Sequence, residues 1–202
     1  MLYTVVDVID HSIMKEFVLD LIDNMPSKDV GVNTINLDDD YTDLNYDYTS
    51  HISKTNWQDD IFGEKWAQIW PHFLSPEDQI RIVNSIKNNY PDRDWSNGDV
   101  TESWFNQYIA ESGSEHPWHH HADSERKSGE KDPSIHLACI YYVELPDESL
   151  ITILKDPETG KEIIPDVKEG QILTFATDIL HRAPRNFTNS RKTAIAFNIM
   201  FD

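Results

Sequence analysis

The second half of the chain carries a repeated pattern of short apolar segments, and this pattern limits the fold more than any other feature. The segments are rich in Ile, Thr, Tyr and Phe, and turn-forming sequences such as PDES, DPETGK and KEG separate them. They read SWFNQYI, IHLACIYYVEL, LITIL, QILTFAT and KTAIAFNIMF. Segments of this length and composition are typical of β-strands. The chain from residue 99 onward is therefore predicted to form a β-sandwich or barrel.

The first half of the chain has helical periodicity instead. In HSIMKEFVLDLIDNMP the apolar residues recur at helical spacing, Ser12 can cap the helix, and Pro26 follows its end. The sequence SPED at residues 75–78 predicts the start of a second helix, which should end near Tyr90. Helices followed by strands indicate an α+β or mainly β architecture.

The length of 202 residues favours a single domain. Within it we expect a helical N-terminal support region over residues 1–98 and a β core over residues 99–202. Residues 37–65 are polar and rich in aspartate, and the insert SERKSGEKDPS at residues 124–134 is hydrophilic. Both stretches are predicted to be surface loops.

The charge balance excludes some classes of partner. With 36 acidic residues against 17 basic ones, the formal net charge is −19, so we expect no general binding to nucleic acid or to anionic membranes. The N-terminus lacks the pattern of a secretory signal, and no apolar run is long enough to cross a bilayer. The single cysteine, Cys139, cannot form an internal disulfide. We therefore expect a cytoplasmic protein.

The stretch PWHHHAD contains the first candidate metal ligands. If it is extended, His119, His121 and Asp123 point to one face and His120 to the other. At a rise of roughly 3.3 Å per residue, adjacent members of the set are about 6.6 Å apart at Cα and the outer two about 13 Å apart. One metal ion can therefore take an adjacent pair. His121 belongs to either pair, and its partner is His119 or Asp123.

Further candidates lie downstream. His181 follows one predicted strand, and Arg191 begins another one ten residues later (191 − 181), with Thr193 on the same face as Arg191. Two histidines and one carboxylate on a β-scaffold leave positions open on Fe(II) for a bidentate keto acid and dioxygen. An inward-facing arginine suits the distal carboxylate of such a molecule, since its planar fork binds both oxygens.

Taken in this order, these residues resemble the Fe(II)- and 2-oxoglutarate-dependent oxygenases, near the prolyl-hydroxylase branch, and are similar to small members encoded by tailed bacteriophages. The resemblance spans about residues 104–202 and is carried by QY, HHHAD, ACIYYVELP, EGQILTF, His181 and Arg191 to Thr193. It implies a double-stranded β-helix, or jelly roll, with N-terminal helices packed on the larger sheet.

The resemblance also implies cofactors and a site. Fe(II) would be the metal, with 2-oxoglutarate and O2 as cosubstrates, and a substrate carbon would be hydroxylated with release of succinate and CO2. The implied iron ligands are His121, Asp123 and His181. The implied cosubstrate-binding residues are Arg191, Thr193, Tyr142 and Tyr108.

Alternatives remain at this point. The phage-type relatives show the pattern Trp-His-x-His before their YY strand, which would make His119 a ligand in place of Asp123. We favour Asp123, because a carboxylate is the usual partner in keto-acid chemistry. Two other functions compete: a cupin-like three-histidine enzyme that does not use 2-oxoglutarate, and a non-catalytic metal-binding or phage interaction module. The sequence names neither the oligomeric state nor the substrate, which is a peptide, a protein or a small molecule.

Overall fold

The computed structural model describes residues 2–23, 80, 84, 98–108, 110–111, 113, 115–121 and 135–201. Helix α1 spans His11–Asp23, and a 3-10 helix spans Glu148–Leu150. The strands are β1 (Tyr3–Asp7), β2 (Gly98–Tyr108), β3 (His116–His119), β4 (Ile135–Glu144), β5 (Ile153–Lys155), β6 (Glu162–Ile163), β7 (Gln171–Ala176), β8 (His181–Ala183) and β9 (Lys192–Phe201).

These strands form two antiparallel sheets. The larger sheet has the order β1-β7-β4-β9-β2, and the smaller one has the order β3-β8-β5-β6. Strands β5 and β6 form a hairpin, and all other neighbouring strands in the two sheets are distant in sequence, as the connections of a jelly roll require. The predicted fold class, a mainly β double-stranded β-helix, is confirmed.

The core lies between the two sheets. Strands β4 and β7 contribute Tyr142, Leu173 and Phe175, and the smaller sheet contributes Leu154. Because side chains alternate along a strand, the neighbouring residues face outward from the barrel. The outward-facing Tyr141 is also fully buried. This explains why the segment IHLACIYYVEL is almost continuously apolar rather than alternating.

Helix α1 packs on the outer face of the larger sheet. Met14 and Val18 are buried, and their spacing of four residues places them on the same side of the helix. At the start of the helix, His11 Nδ1 and the Tyr141 hydroxyl share a hydrogen bond of 2.7 Å. The helix begins and ends close to its predicted bounds, and it lies on the larger sheet as the resemblance implies.

The structure differs from the sequence-based prediction in the N-terminal region, and some predicted elements lie outside the described residues. Strand β1 pairs with β7 at the edge of the larger sheet, so the N-terminal region contributes a strand as well as helix. Of the second predicted helix the structure describes only Ile80 and Asn84, both helical. The acidic loop and the insert at 124–134 lie outside the described residues. Among the described residues, no helix is long and apolar enough to cross a membrane.

Candidate metal centre

Three histidines meet at the junction of β3 and β8. His119 and His181 are register partners in this antiparallel pair, so their side chains lie next to each other, with ring centroids 4.1 Å apart. His121 follows β3, and its backbone N–H donates to the Thr177 carbonyl at 2.9 Å. One potential ligand atom from each imidazole lies within 4.8 Å of the other two. The fold thus brings together three side chains that are common metal ligands.

A hydrogen bond at Nδ1 orients each of the three rings. His119 Nδ1 donates to the Pro117 carbonyl at 2.7 Å, and His181 Nδ1 donates to the Ile179 carbonyl at 2.8 Å. His121 Nδ1 donates a hydrogen bond of 2.9 Å to Asn198 Oδ1. Because carbonyl oxygens only accept hydrogen bonds, the proton of each ring sits on Nδ1. The lone pair of each Nε2 is therefore available to a metal ion.

The electrostatics of the cluster keep the rings of His119 and His181 neutral. Burial lowers the pKa of His119 to about 3, and the neighbouring His121 adds to the shift. Burial also lowers the pKa of His181 well below its ordinary value, with further contributions from His119 and His121. A neutral imidazole is the form that binds a metal. The donor set therefore fits a divalent transition metal at neutral pH.

A fourth histidine belongs to the same cluster. His116 is buried and stacks on His119, with ring centroids 3.8 Å apart and ring planes at 23°. Residues 116 and 119 would face opposite sides of a regular strand, but a register irregularity in β3 turns both into the pocket. Sequence reasoning left His116 without a role, and a bulge of this kind has no signal in the sequence.

The histidines form one end of a pocket between the two sheets. The rest of its wall comes from the inner face of the larger sheet, from the segment before β5 and from β8. These residues are Asn106, Tyr108, Ile140, Thr152, Ala183, Lys192, Ala194 and Ala196. Ala194 and Ala196 place small side chains on the stretch of β9 between Lys192 and Asn198.

Lys192 is the cation of this pocket. The residue is 2% exposed, and Nζ donates to the Leu150 carbonyl at 2.6 Å. Nζ also lies 4.7 Å from the ring centroid of Tyr108 and 5.3 Å from that of Tyr142. Burial lowers the pKa of Lys192 to about 7. Among the described residues, Lys192 is the only lysine or arginine that lines the pocket, so it is the group suited to bind an anion there.

Arg191 and Thr193 lie elsewhere. Side chains alternate along β9, so both residues point to the face opposite Lys192. Arg191 binds the carboxylate of Glu144 through Nε at 2.9 Å and Nη2 at 3.4 Å. Thr193 Oγ1 donates to the same carboxylate at 2.5 Å. This placement differs from the sequence-based prediction, which gave Arg191 and Thr193 to the cosubstrate.

The two predicted tyrosines are both near the pocket. Tyr108 is on its wall, and the hydroxyl of Tyr142 accepts a hydrogen bond of 3.1 Å from the Thr152 N–H. Burial raises the pKa of both hydroxyls above the ordinary value, so both keep their protons at neutral pH. Asp123, the predicted carboxylate ligand, lies outside the described residues. Among the described residues, His119 lies beside His121.

Comparisons with known proteins identify the architecture. No protein-family model matches the chain, and no curated protein matches it. Several solved structures match the chain in fold. AviO1 from Streptomyces viridochromogenes Tue57 aligns with a TM-score of 0.61 at 10% identity, over 98% of this chain and 89% of that one. The viral collagen prolyl hydroxylase vCPH of Paramecium bursaria Chlorella virus-1, in its 2OG complex, aligns with a TM-score of 0.57 at 13% identity, over 100% and 97%.

The fold is that of the 2-oxoglutarate-dependent oxygenases. At identities this low, the likeness establishes the fold and not the activity. Sequence reasoning gave no role to Lys192, which lines the pocket, or to Asn198, which accepts a hydrogen bond from His121. The carboxylate-binding role was assigned to the neighbouring Arg191, because its planar guanidinium can bind both oxygens, and Lys192 was given no role. Alternation in KTAIAFN places Lys192 on one face with two alanines and Asn198, but the sequence does not indicate that this face looks inward.

Proposed function

We propose that this chain is an Fe(II)- and 2-oxoglutarate-dependent dioxygenase that hydroxylates a peptide, a protein or a small molecule. One observation carries the proposal: three metal-binding imidazoles and a buried lysine face the same pocket. A metal ion and a cation at opposite ends of a pocket suit a ligand with a chelating end and a distal negative charge. 2-Oxoglutarate is such a molecule, and the fold agrees with its use.

His121 and His181 are two of the proposed metal ligands, and His119 is the proposed third. Support for His119 comes from its position opposite His181 and from the hydrogen bond that orients its ring. Asp123 is the alternative third ligand. Bound Fe(II), together with 2-oxoglutarate and O2, supplies the oxidation of a substrate C–H bond, with release of succinate and CO2.

The cosubstrate is held by the protein at its far end. In this proposal Lys192 donates to the distal carboxylate in place of Arg191, because Lys192 faces the pocket and Arg191 is bound to Glu144. Tyr108 keeps its proton and offers a hydroxyl on the same wall. A charge-assisted bond in a site shielded from water is stronger than the same bond at the surface.

A second candidate function is a three-histidine metal enzyme that does not use 2-oxoglutarate. The observation that favours it is the ligand set itself, since three imidazoles among the described residues have ligand atoms within 4.8 Å of one another. This reading gives Lys192 no ligand to bind. Burial lowers the pKa of Lys192 and costs free energy, and under this second function no bound ligand would offset that cost.

The experiment that separates the two functions measures succinate. Purified protein, Fe(II) and 2-oxoglutarate are incubated in air, and succinate is quantified against the variants His181→Ala and Lys192→Met. The proposal expects slow succinate formation by the unaltered protein even before the substrate is known, and loss of it in both variants. Iron-loaded protein that forms no succinate with any candidate substrate would leave the second candidate in its place.

A further inference from the structure

His116 is a buried imidazole at the start of β3, and none of the roles assigned above uses it. The residue is 9% exposed and lines the pocket. Its ring lies against the ring of His119, with centroids 3.8 Å apart and planes at 23°. A stacked contact of this kind is attractive and depends on the orientation of both rings. His116 therefore contacts one of the proposed metal ligands directly.

The stacked arrangement argues against His116 as a ligand of the same metal ion. An imidazole binds a metal through a ring nitrogen, so the ion lies close to the plane of the ring. Two rings stacked at 3.8 Å with planes 23° apart cannot both have one ion in their planes at bonding distance. Among the described residues, the ligand atoms that lie within 4.8 Å of one another come from His119, His121 and His181. The position of His116 thus suits contact with a ligand rather than ligation.

The hydrogen bond from His119 leaves one motion of its ring free. The Pro117 carbonyl accepts from Nδ1 at 2.7 Å, which fixes the direction of that edge of the ring. A single hydrogen bond still allows the ring to tilt about the line from Nδ1 to the carbonyl oxygen. The flat ring of His116 at 3.8 Å blocks this tilt. The two contacts together fix both the direction and the plane of the His119 ring.

The rest of the cluster supports the same interpretation. His181 has a comparable pair of contacts, since its Nδ1 donates to the Ile179 carbonyl and its ring meets the ring of Phe175 at a centroid distance of 4.7 Å. In β3, a register irregularity between His116 and His119 turns both rings into the pocket. Irregularities of this kind re-aim side chains next to active sites. A regular strand would place residues 116 and 119 on opposite faces, and the two rings would not meet.

We propose that His116 is a positioning residue of the metal centre: its stacked ring fixes the plane of His119, so that Nε2 of His119 points to the shared ion. This inference rests on the metal site of the proposed function and does not depend on 2-oxoglutarate. Removing a group that orients a metal ligand commonly lowers metal affinity by about 10- to 100-fold. The role requires a flat ring at position 116 and no ligand nitrogen there, so substitutions can separate the two.

The test replaces His116 in three ways and measures the binding of Co(II) by visible absorption. Co(II) takes the same nitrogen and oxygen ligands as Fe(II), and its d–d bands report the geometry of those ligands. His116→Ala removes the ring, and His116→Gln keeps a polar side chain without a ring. Both should raise the dissociation constant about tenfold or more and alter the d–d bands. His116→Phe keeps a flat ring that cannot bind a metal, so it should stay within about threefold of the unaltered protein and keep its spectrum.

Trp118→Leu is the matched control. Trp118 lies on the same strand as His116, but its ring centroid lies 5.0 Å from Cζ of Arg182. Arg182 alternates with His181 along β8, so this contact is on the outer face of the smaller sheet. The variant removes an aromatic ring from β3 without touching the pocket, and it should leave the Co(II) dissociation constant unchanged. The unfolding midpoint of each metal-free variant is measured as well, and if His116→Ala does not fold, His116→Gln and His116→Phe provide the comparison.

The possible outcomes are distinct. Loss of affinity in His116→Ala and His116→Gln with recovery in His116→Phe supports the inference. If the two variants without a ring bind Co(II) as well as the unaltered protein, or if His116→Phe binds as weakly as they do, this inference is overturned and the proposed function stands. The same holds if His119→Ala keeps its affinity. If the unaltered protein binds neither Co(II) nor Fe(II), both fail, and if it binds metal but not 2-oxoglutarate, only the proposed function fails.

Discussion

Replacing Lys192 by methionine should separate cosubstrate binding from folding. The substitution keeps the length and the apolar stem of the side chain and removes the only lysine or arginine that the described residues place on the pocket wall. A hydrogen bond between charged groups contributes about 1.5–3 kcal/mol, and leaving a buried charge without its partner costs about 3–5 kcal/mol. These terms overlap, so we expect a loss of about 3–4 kcal/mol in binding, which is roughly 100- to 1000-fold in the dissociation constant.

The free protein should tolerate this change. Lys192→Met removes one hydrogen bond, from Nζ to the Leu150 carbonyl, but it also removes a buried cation. We therefore expect a small change in the unfolding midpoint. Anaerobic titration with 2-oxoglutarate gives the affinity, and circular dichroism during heating gives the midpoint.

Arg191→Met is the matched comparison, because Arg191 is adjacent in sequence and lies on the opposite face, bound to Glu144. It should leave the affinity for 2-oxoglutarate within about twofold of the unaltered protein while it weakens folding, since it removes a half-buried ion pair. The reasoning is refuted if Arg191→Met abolishes binding and Lys192→Met does not.

Three other outcomes follow from the site. His119→Ala should abolish iron binding and Asp123→Ala should leave it within about threefold, as measured by metal titration; the reverse pattern would assign the third position to Asp123. Asn198→Leu should weaken iron binding by about 10- to 100-fold, because it removes the acceptor that orients His121, and Asn198→Asp should restore most of it. Since burial lowers the pKa of Lys192 to about 7, this lysine loses its proton as the pH rises through that value, and the affinity for 2-oxoglutarate should fall by up to about tenfold per pH unit above it. Titrations at several pH values check this, and Lys192→Arg, which stays charged, should flatten the profile.

The sequence predicted the long elements well because their patterns are local. Helix α1 has apolar residues at helical spacing, and β4 and β9 are long runs of residues that favour strands. Strand β1 was missed for a physical reason. It has five residues, and its partner β7 lies more than 160 residues further along the chain, so nothing near it in sequence reports the pairing.

The site was predictable in part. Strand geometry indicated that one metal takes an adjacent pair from PWHHHAD, and the structure brings His119 and His121 together with His181. The choice between Arg191 and Lys192 depended on which face of β9 looks inward. A strand pattern that is apolar on both faces does not contain that information, because both faces of this sheet are buried. The bulge that turns His116 inward depends on the pairing of β3 with β8 in the same way.

The measurement that tests the central claim most directly is an anaerobic titration of the Fe(II)-loaded protein with 2-oxoglutarate, followed by visible absorption. Chelation of the metal by a keto acid gives a weak charge-transfer band. The account expects this band to appear, to saturate at one equivalent of 2-oxoglutarate, and to need much more ligand in Lys192→Met. Protein that demonstrably holds iron and shows no band at saturating 2-oxoglutarate would contradict the account.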